Sequence, residues 1–233
     1  MAVGYTEWTV LEHKPIEELA PNLWRVEGKM NERNRRVMTL ARLNDGRIIV
    51  HNAIALNDDE MKKIDAWGQV SAILIPNGFH RQDAFIMHQR YPKAKVYAPK
   101  GAIKAAKKST EIAGSYDDVP TDMTVWLRHI DGIGEREGLL MVRSNDGVSA
   151  VFCDTLLNLP KMGGFFGMML HPTGTLSVPR ISRMFWMKDK EALRGDLEKL
   201  AKEEGLVRVI PGHGHVITEN ASAALSEAAG RLD

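Results

Sequence analysis

The sequence predicts a mixed fold, α/β (α+β) in class, in a single domain spanning residues 1–233. Three features predict it: two hairpin patterns with turn residues at their centres, a β-α-β-α alternation after the first, and apolar strands that end abruptly in polar residues.

Leu23 to Glu27 is a short strand. Val37 to Leu43 and Arg47 to His51 form a hairpin around Asn44-Asp45-Gly46, because Asn and Gly tolerate the positive φ of tight turns. Asp58-Asp59-Glu60 then put acids at a helix N-terminus, and Met61, Ile64 and Trp67 recur at helical spacing. Val70 to Ile75 is a continuous apolar strand, Arg81 to Arg90 a helix, Ala94 to Ala98 a strand and Ala102 to Lys108 a second helix. Apolar strands between helices imply a partly parallel sheet. Beyond the loop Gly114 to Asp122, Thr124 to Ile130 is a strand, and Leu139 to Arg143 with Val148 to Cys153 form a second hairpin around Asn145-Asp146-Gly147. Asp189 to Glu204 is an amphipathic helix with Leu193, Leu197 and Leu200 on one face, Val207 to Ile210 a strand, and Ala221 to Ala229 a terminal helix. The hairpins share Arg-x-Asn-Asp-Gly at a separation of 101 residues. This reads either as an internal duplication, with halves at about 20–115 and 120–218, or as recurrent turn chemistry.

With 44% hydrophobic and 26% charged residues, the chain buries a core without disulfides or structural zinc. Its 31 Lys and Arg against 30 Asp and Glu leave a net charge of +1, too small for whole-surface polyanion binding. Lys93, Lys95, Lys100, Lys104, Lys107 and Lys108 lie together without an intervening acid, but only Tyr91 and Tyr97 offer stacking beside them. A solvated face is therefore the simpler reading, and nucleic acid is not the expected partner. Arg33, Arg35 and Arg36 form a smaller basic cluster read as part of a loop. The most apolar stretch, Gly163 to Leu170, is far below the roughly 20 residues of a membrane span. Cys153 is the single cysteine and no secretory pattern opens the chain, so the expected location is cytoplasmic. Cys-x-x-Cys, a phosphate-binding loop, His-Glu-x-x-His and Gly-x-Ser-x-Gly are all absent.

Three strand ends carry candidate chemistry. Ile210-Pro211-Gly212-His213-Gly214-His215 feeds a strand into a glycine turn that can hold an imidazole at a sheet edge. Asp154 ends the apolar strand before it, and reads either as a site carboxylate or as a turn residue. Pro76 to Asp83 follows a strand and precedes a helix, where Asp83 favours the helix N-terminus and Asn77-Gly78 a turn. Lys161 to Leu170 reads as a mobile apolar flap over a pocket or as a loop packed under Trp186, and Arg180 with Arg183 suits an anionic substrate or surface ion pairs.

Leu23-Trp24, Asp45-Gly46-Arg47, Pro76-Asn77-x-x-His80, Tyr91-Pro92-Lys93-Ala94 and Asp154-x-x-x-Asn158, taken in this order, resemble the metallo-β-lactamase superfamily, and within it a branch of unknown function with degenerate metal motifs. The resemblance spans about residues 20–218 and implies an αββα sandwich with a metal site at one sheet edge. It places Asp154 on the bridging aspartate and His213 on the final histidine. The superfamily's His-x-His-x-Asp-His is replaced by Asn77-Gly78-Phe79-His80-Arg81-Gln82; a one-residue shift sets His80 on the second histidine, Gln82 on the aspartate and Asp83 on the last histidine. The histidine of the second half is replaced by Asp131-Gly132-Ile133-Gly134-Glu135.

Two functions follow from that resemblance. One is a metal-dependent hydrolase of at most one Zn, Fe or Mn ion on His80, Asp83, Asp154 and His213, with Asp154 as the catalytic carboxylate. The other is a metal-free, non-catalytic ligand-binding or scaffold protein that keeps the fold. In either, Asn77, Phe79, Gln82, Phe165 and Arg180 are the candidate pocket residues, the partner is a small molecule, and the oligomeric state is open. A peripheral membrane role for the lysine run and the Phe165-Phe166 loop is the third reading.

Overall fold

The structure, a computed structural model, describes residues 4–31 and 34–232, apart from the side chain of Phe166. Arg33, one of the basic cluster, and the side chain of Phe166 lie outside the described residues. The first sheet has six strands, β1 (Glu17–Ala20), β2 (Leu23–Lys29), β3 (Arg35–Arg42), β4 (Arg47–His51), β5 (Gln69–Leu74) and β6 (Lys95–Tyr97), side by side in chain order. β1 to β4 are antiparallel; β4, β5 and β6 are parallel. The second sheet orders β7 (Val125–His129), β8 (Gly138–Ser144), β9 (Gly147–Val151) and β10 (Leu206–Ile210) as β10-β9-β8-β7, with β9 and β10 parallel. The helices are α1 (Asp58–Trp67), α2 (Ala84–Arg90), α3 (Ile103–Ala106), α4 (Gly164–Met169), α5 (Arg180–Phe185), α6 (Lys190–Ala201) and α7 (Ala221–Gly230).

Side chains alternate across a strand, and the layering follows from that alternation. Ile48 and Val50 of β4 join Met61 and Ile64 of α1 in one outer core. Ile49 between them joins Leu140, Val142 and Val151 in the core between the sheets. On the far side Met141 and Ala150 face Leu193 and Leu197 of α6 and Leu225 of α7. Two helical layers around two facing sheets make the αββα sandwich that the resemblance implied.

Local chemistry fixes the elements on this frame. The Asn57 side chain accepts from the Glu60 N–H at 3.0 Å and caps α1, a contact worth about 1 kcal/mol. At its other end Trp67 stacks on Trp24 of β2, ring centroids 3.9 Å apart and planes within 10°. Both predicted hairpins form, β3 with β4 and β8 with β9. The helix expected from Arg81 starts only at Ala84, because Asn77 Oδ1 accepts the N–H groups of Phe79 (2.9 Å) and His80 (3.1 Å) and winds residues 77–80 into an Asx-type turn. The 161–170 segment, expected as a flap or a loop under Trp186, contains α4, and Phe165 there is exposed. Among the described residues no helix is long and apolar enough to cross a membrane.

Candidate metal centre

The loops after β4, β5, β9 and β10 meet at one edge of the sandwich, the usual place for a site in sheets with parallel strands. His80 comes from the β5 loop, Asp154 from the β9 loop and His213 from the β10 loop. Gly212 and Gly214 bracket His213 for steric reasons. A Cβ on Gly212 would lie 2.8 Å from the Cys153 carbonyl oxygen; Gly214 holds φ at +93°, and a Cβ there would lie 2.0 Å from the Asn158 carbonyl oxygen.

The three side chains converge on a small triangle. His80 Nε2 and His213 Nε2 each lie 3.2 Å from Asp154 Oδ1, and 3.1 Å from one another. Donor atoms around one ion at about 2.1 Å stand about 3.0 Å apart at octahedral and about 3.4 Å apart at tetrahedral angles, so this triangle has the span of a two-histidine, one-carboxylate metal face. The outer ring nitrogens orient the imidazoles: His80 Nδ1 faces Asn52 Oδ1 at 3.0 Å, and His213 Nδ1 faces the Arg35 carbonyl. Each outer N–H donates to an acceptor, which turns the Nε2 lone pairs inward. Asn77 Nδ2 donates to Asp154 Oδ2 at 2.9 Å and leaves Oδ1 for the triangle. Cys153 sulfur lies nearby, within 4.8 Å of donor atoms of His80 and Asp154.

Beneath the triangle is a carboxylate absent from the sequence-level candidates. Glu137, just before β8, is fully buried and accepts the backbone N–H groups of Cys153 (2.8 Å), Asp154 (2.8 Å) and Thr155 (3.1 Å). Burial, and then the Asp154 charge, push its carboxyl up to about 7, against the pull of those donors. Burial and the two carboxylates likewise raise the Cys153 thiol well above its usual range, which argues against a thiolate nucleophile. Burial would raise the Asp154 carboxyl too, yet the charges and hydrogen bonds of His80 and His213 hold it far below the usual range. Burial lowers His80 despite Asp154, whereas for His213 the Asp154 contact outweighs burial and raises it. His51, at the end of β4, is buried with neither ring nitrogen hydrogen-bonded among the described residues, and burial pushes it down to about 3.

Of the remaining candidates only Asn77 touches the triangle. Asp83 does not reach the triangle. Its Oδ1 stands 2.7 Å from Arg36 Nη2 in an ion pair with both side chains buried, and its Oδ2 accepts the Ala55 N–H at 2.7 Å. Of the four residues that the resemblance puts forward as ligands, His80, Asp154 and His213 converge, while Asp83 faces Arg36 and the Ala55 N–H. Arg36, read as part of a loop, is instead a strand residue and 1% exposed. Gln82 donates to the Met30 carbonyl at 3.3 Å, away from the triangle. Asn77 orients Asp154. Phe79 does not fill the site; it stands 62% exposed and stacks on Trp186 at 5.7 Å. Phe165 is exposed on α4, and Arg180 lines a separate cleft. Of the basic run, Lys100 pairs with Asp117 at 2.7 Å.

Glu137, Asn52 and His51 escaped detection because nothing local marks them. Glu137 sits in Glu135-Arg136-Glu137, which reads as solvated, and its depth comes from contacts distant in sequence, the Asn77–Glu137 bridge between sheets and the N–H groups of residues 153–155.

No protein-family model and no curated protein matches the sequence. Solved structures do. The chain aligns with the DIM-1 metallo-β-lactamase exposed to ceftazidime at a TM-score of 0.64 and 12% identity, over 97% of this chain and 100% of that one. TMB-1 gives 0.63 at 12% identity over 96% and 98% of the two chains, and VMB-1 at pH 5.5 gives 0.62 at 12% over 96% and 99%. At this identity the likeness is one of architecture, and it extends over nearly the whole chain: the protein has the metallo-β-lactamase fold.

Proposed function

We propose that the protein is a hydrolase working through one metal ion held by His80, Asp154 and His213. The observation that carries this reading is the triangle of His80 Nε2, His213 Nε2 and Asp154 Oδ1, 3.1 to 3.2 Å on each side. Two imidazoles with lone pairs turned towards one another need a cation or a proton between them. Two nitrogens and one carboxylate oxygen suit zinc, iron or manganese and leave coordination positions open. An ion there would acidify water and polarise a carbonyl or phosphoryl oxygen of the substrate.

The chain's own residues do the positioning. Asn52 and the Arg35 carbonyl fix the two rings, and Asn77 fixes the carboxylate. Glu137 gathers three successive N–H groups and so holds the Asp154 backbone in place. The Asp154 and His213 side chains are 18% and 14% exposed against 3% for His80, so substrate approaches from their side. Phe79 on Trp186 offers an apolar wall at the rim of the same loops, suited to an apolar or aromatic group of the substrate.

The test is a screen of phosphoesters, thioesters and lactones with aromatic leaving groups, run on metal-loaded protein beside His80→Ala and His213→Ala. Hydrolysis of one class, reduced by about 100-fold or more in both variants, supports the reading. No turnover of any class by protein carrying stoichiometric metal contradicts it. One observation favours a metal-free binding protein instead: His213, raised by Asp154, can keep its own proton and donate Nε2–H to the ionised Asp154 Oδ1, satisfying the triangle without an ion.

A further inference from the structure

α5 separates the triangle from a second concave feature. Ser182 Oγ donates to the Asp154 carbonyl at 2.9 Å, tying one side of the helix to the ligand loop. On another side, His171, Pro172, Arg180, Arg183 and Arg231 line a cleft of about 430 Å³. Three of these five side chains are arginines and a fourth is a histidine, and among the described residues no carboxylate lines the cleft.

The arginines there are unequally satisfied. Arg231 is spent: Nη1 donates to the Leu176 carbonyl at 3.2 Å, and Nη2 pairs with Glu227 at 2.8 Å. Arg183 Nε donates to the Val178 carbonyl at 2.9 Å, but its Nη2 is buried with no hydrogen-bond partner among the described residues. The Arg180 guanidinium, exposed on the turn before, makes no ion pair or hydrogen bond among the described residues. A buried N–H without an acceptor is destabilising, and a like charge nearby adds to it. In keeping with that crowding, burial and then the Arg180 charge draw Arg183 below the usual arginine range.

An oxyanion relieves both deficits at once, since planar guanidinium forks match phosphate and carboxylate oxygens. We propose that this cleft is an anion-binding site for a phosphate group, free or carried by a small molecule, held chiefly by Arg180 and Arg183. A phosphate, with three or more oxygens, can accept from two forks and from a His171 ring N–H together, where a carboxylate has only two. The proposal does not depend on metal at the triangle, because no lining residue belongs to it.

The probe is inorganic phosphate, titrated calorimetrically into the full chain in the presence of chelator, beside acetate and sodium chloride at matched ionic strength. Saturable binding of phosphate is expected, retained in His213→Ala and weakened about 10- to 100-fold in Arg180→Gln, the worth of one or two charge-assisted hydrogen bonds. Arg183→Lys keeps the charge but loses the fork, and a similar weakening is expected. A phosphomonoester such as phenyl phosphate then separates free phosphate from a carried group: tighter binding of the ester assigns the cleft to a phosphorylated ligand. Three results overturn the proposal: no saturable binding at millimolar phosphate, equal heats with chloride, or binding lost in His213→Ala but unchanged in Arg180→Gln.

Discussion

Replacing Asp83 by Asn separates a structural role from a ligand role at one position. Arg36 and Asp83 are 1% and 3% exposed, and their charged atoms lie 2.7 Å apart. Asn keeps an oxygen for the Ala55 N–H but removes the counter-charge and leaves a buried guanidinium uncompensated. Breaking a buried pair from one side costs about 3 to 5 kcal/mol. Against a typical total of about 5 to 15 kcal/mol that is a large share, and for a chain of this size it lowers Tm by about 6 to 20 °C. Urea denaturation followed by tryptophan fluorescence gives the stability, and metal content is measured on the folded fraction. The Arg36→Met, Asp83→Leu double variant should recover most of the loss, since an apolar pair of similar volume needs no desolvation. A loss under 1 kcal/mol, or an Asp83→Asn protein that folds normally but sheds its metal, would refute the assignment of Asp83 to Arg36.

Other consequences are as direct. Glu137→Ala strands three buried N–H groups, so about 3 kcal/mol or more of stability should vanish in the same denaturation assay. Asn52→Ala frees His80 Nδ1, and metal affinity measured by chelator competition should fall about 10- to 100-fold while the fold persists. His51 is depressed to about 3 in the folded state, so the unfolded chain takes up its proton first as pH falls below 6.5. Its contribution is therefore present above that value and lost as pH drops towards 3, by about 5 kcal/mol in all; His51→Leu should flatten the acid limb of the stability curve, and an unchanged limb would count against it. The buried Cys153 thiol should resist a disulfide reagent in the native protein and react once it is unfolded.

Much of the fold could be read from residue order. Asn-Asp-Gly turns between alternating strands locate both hairpins, and Leu193, Leu197 and Leu200 locate α6, since each signal lies within one element. The short edge strand β1 and the helices α4 and α5 lack such periodicity and carry no comparable local signal. For the site, glycines around His213 and the polar residue ending β9 are local signals, whereas His80 is reached only through the resemblance, by a one-residue shift of the family's histidine motif. The partner of Asp83 is not local. Arg36 lies 47 positions earlier in the chain, and a carboxylate before a helix looks the same whether it faces a metal or a guanidinium. Glu137 and His51 are hidden for the same reason, since their depth is set by how the two sheets face one another and not by their neighbours in sequence.

Metal content decides the central claim. Untagged protein, purified without chelator and reconstituted separately with zinc, iron and manganese, is measured by plasma mass spectrometry beside an Asp154→Ala, His213→Ala double variant. Close to one equivalent of ion per chain, lost in the double variant, is the predicted result. No bound metal after reconstitution, or an equivalent retained by the double variant, would contradict a metal centre at His80, Asp154 and His213.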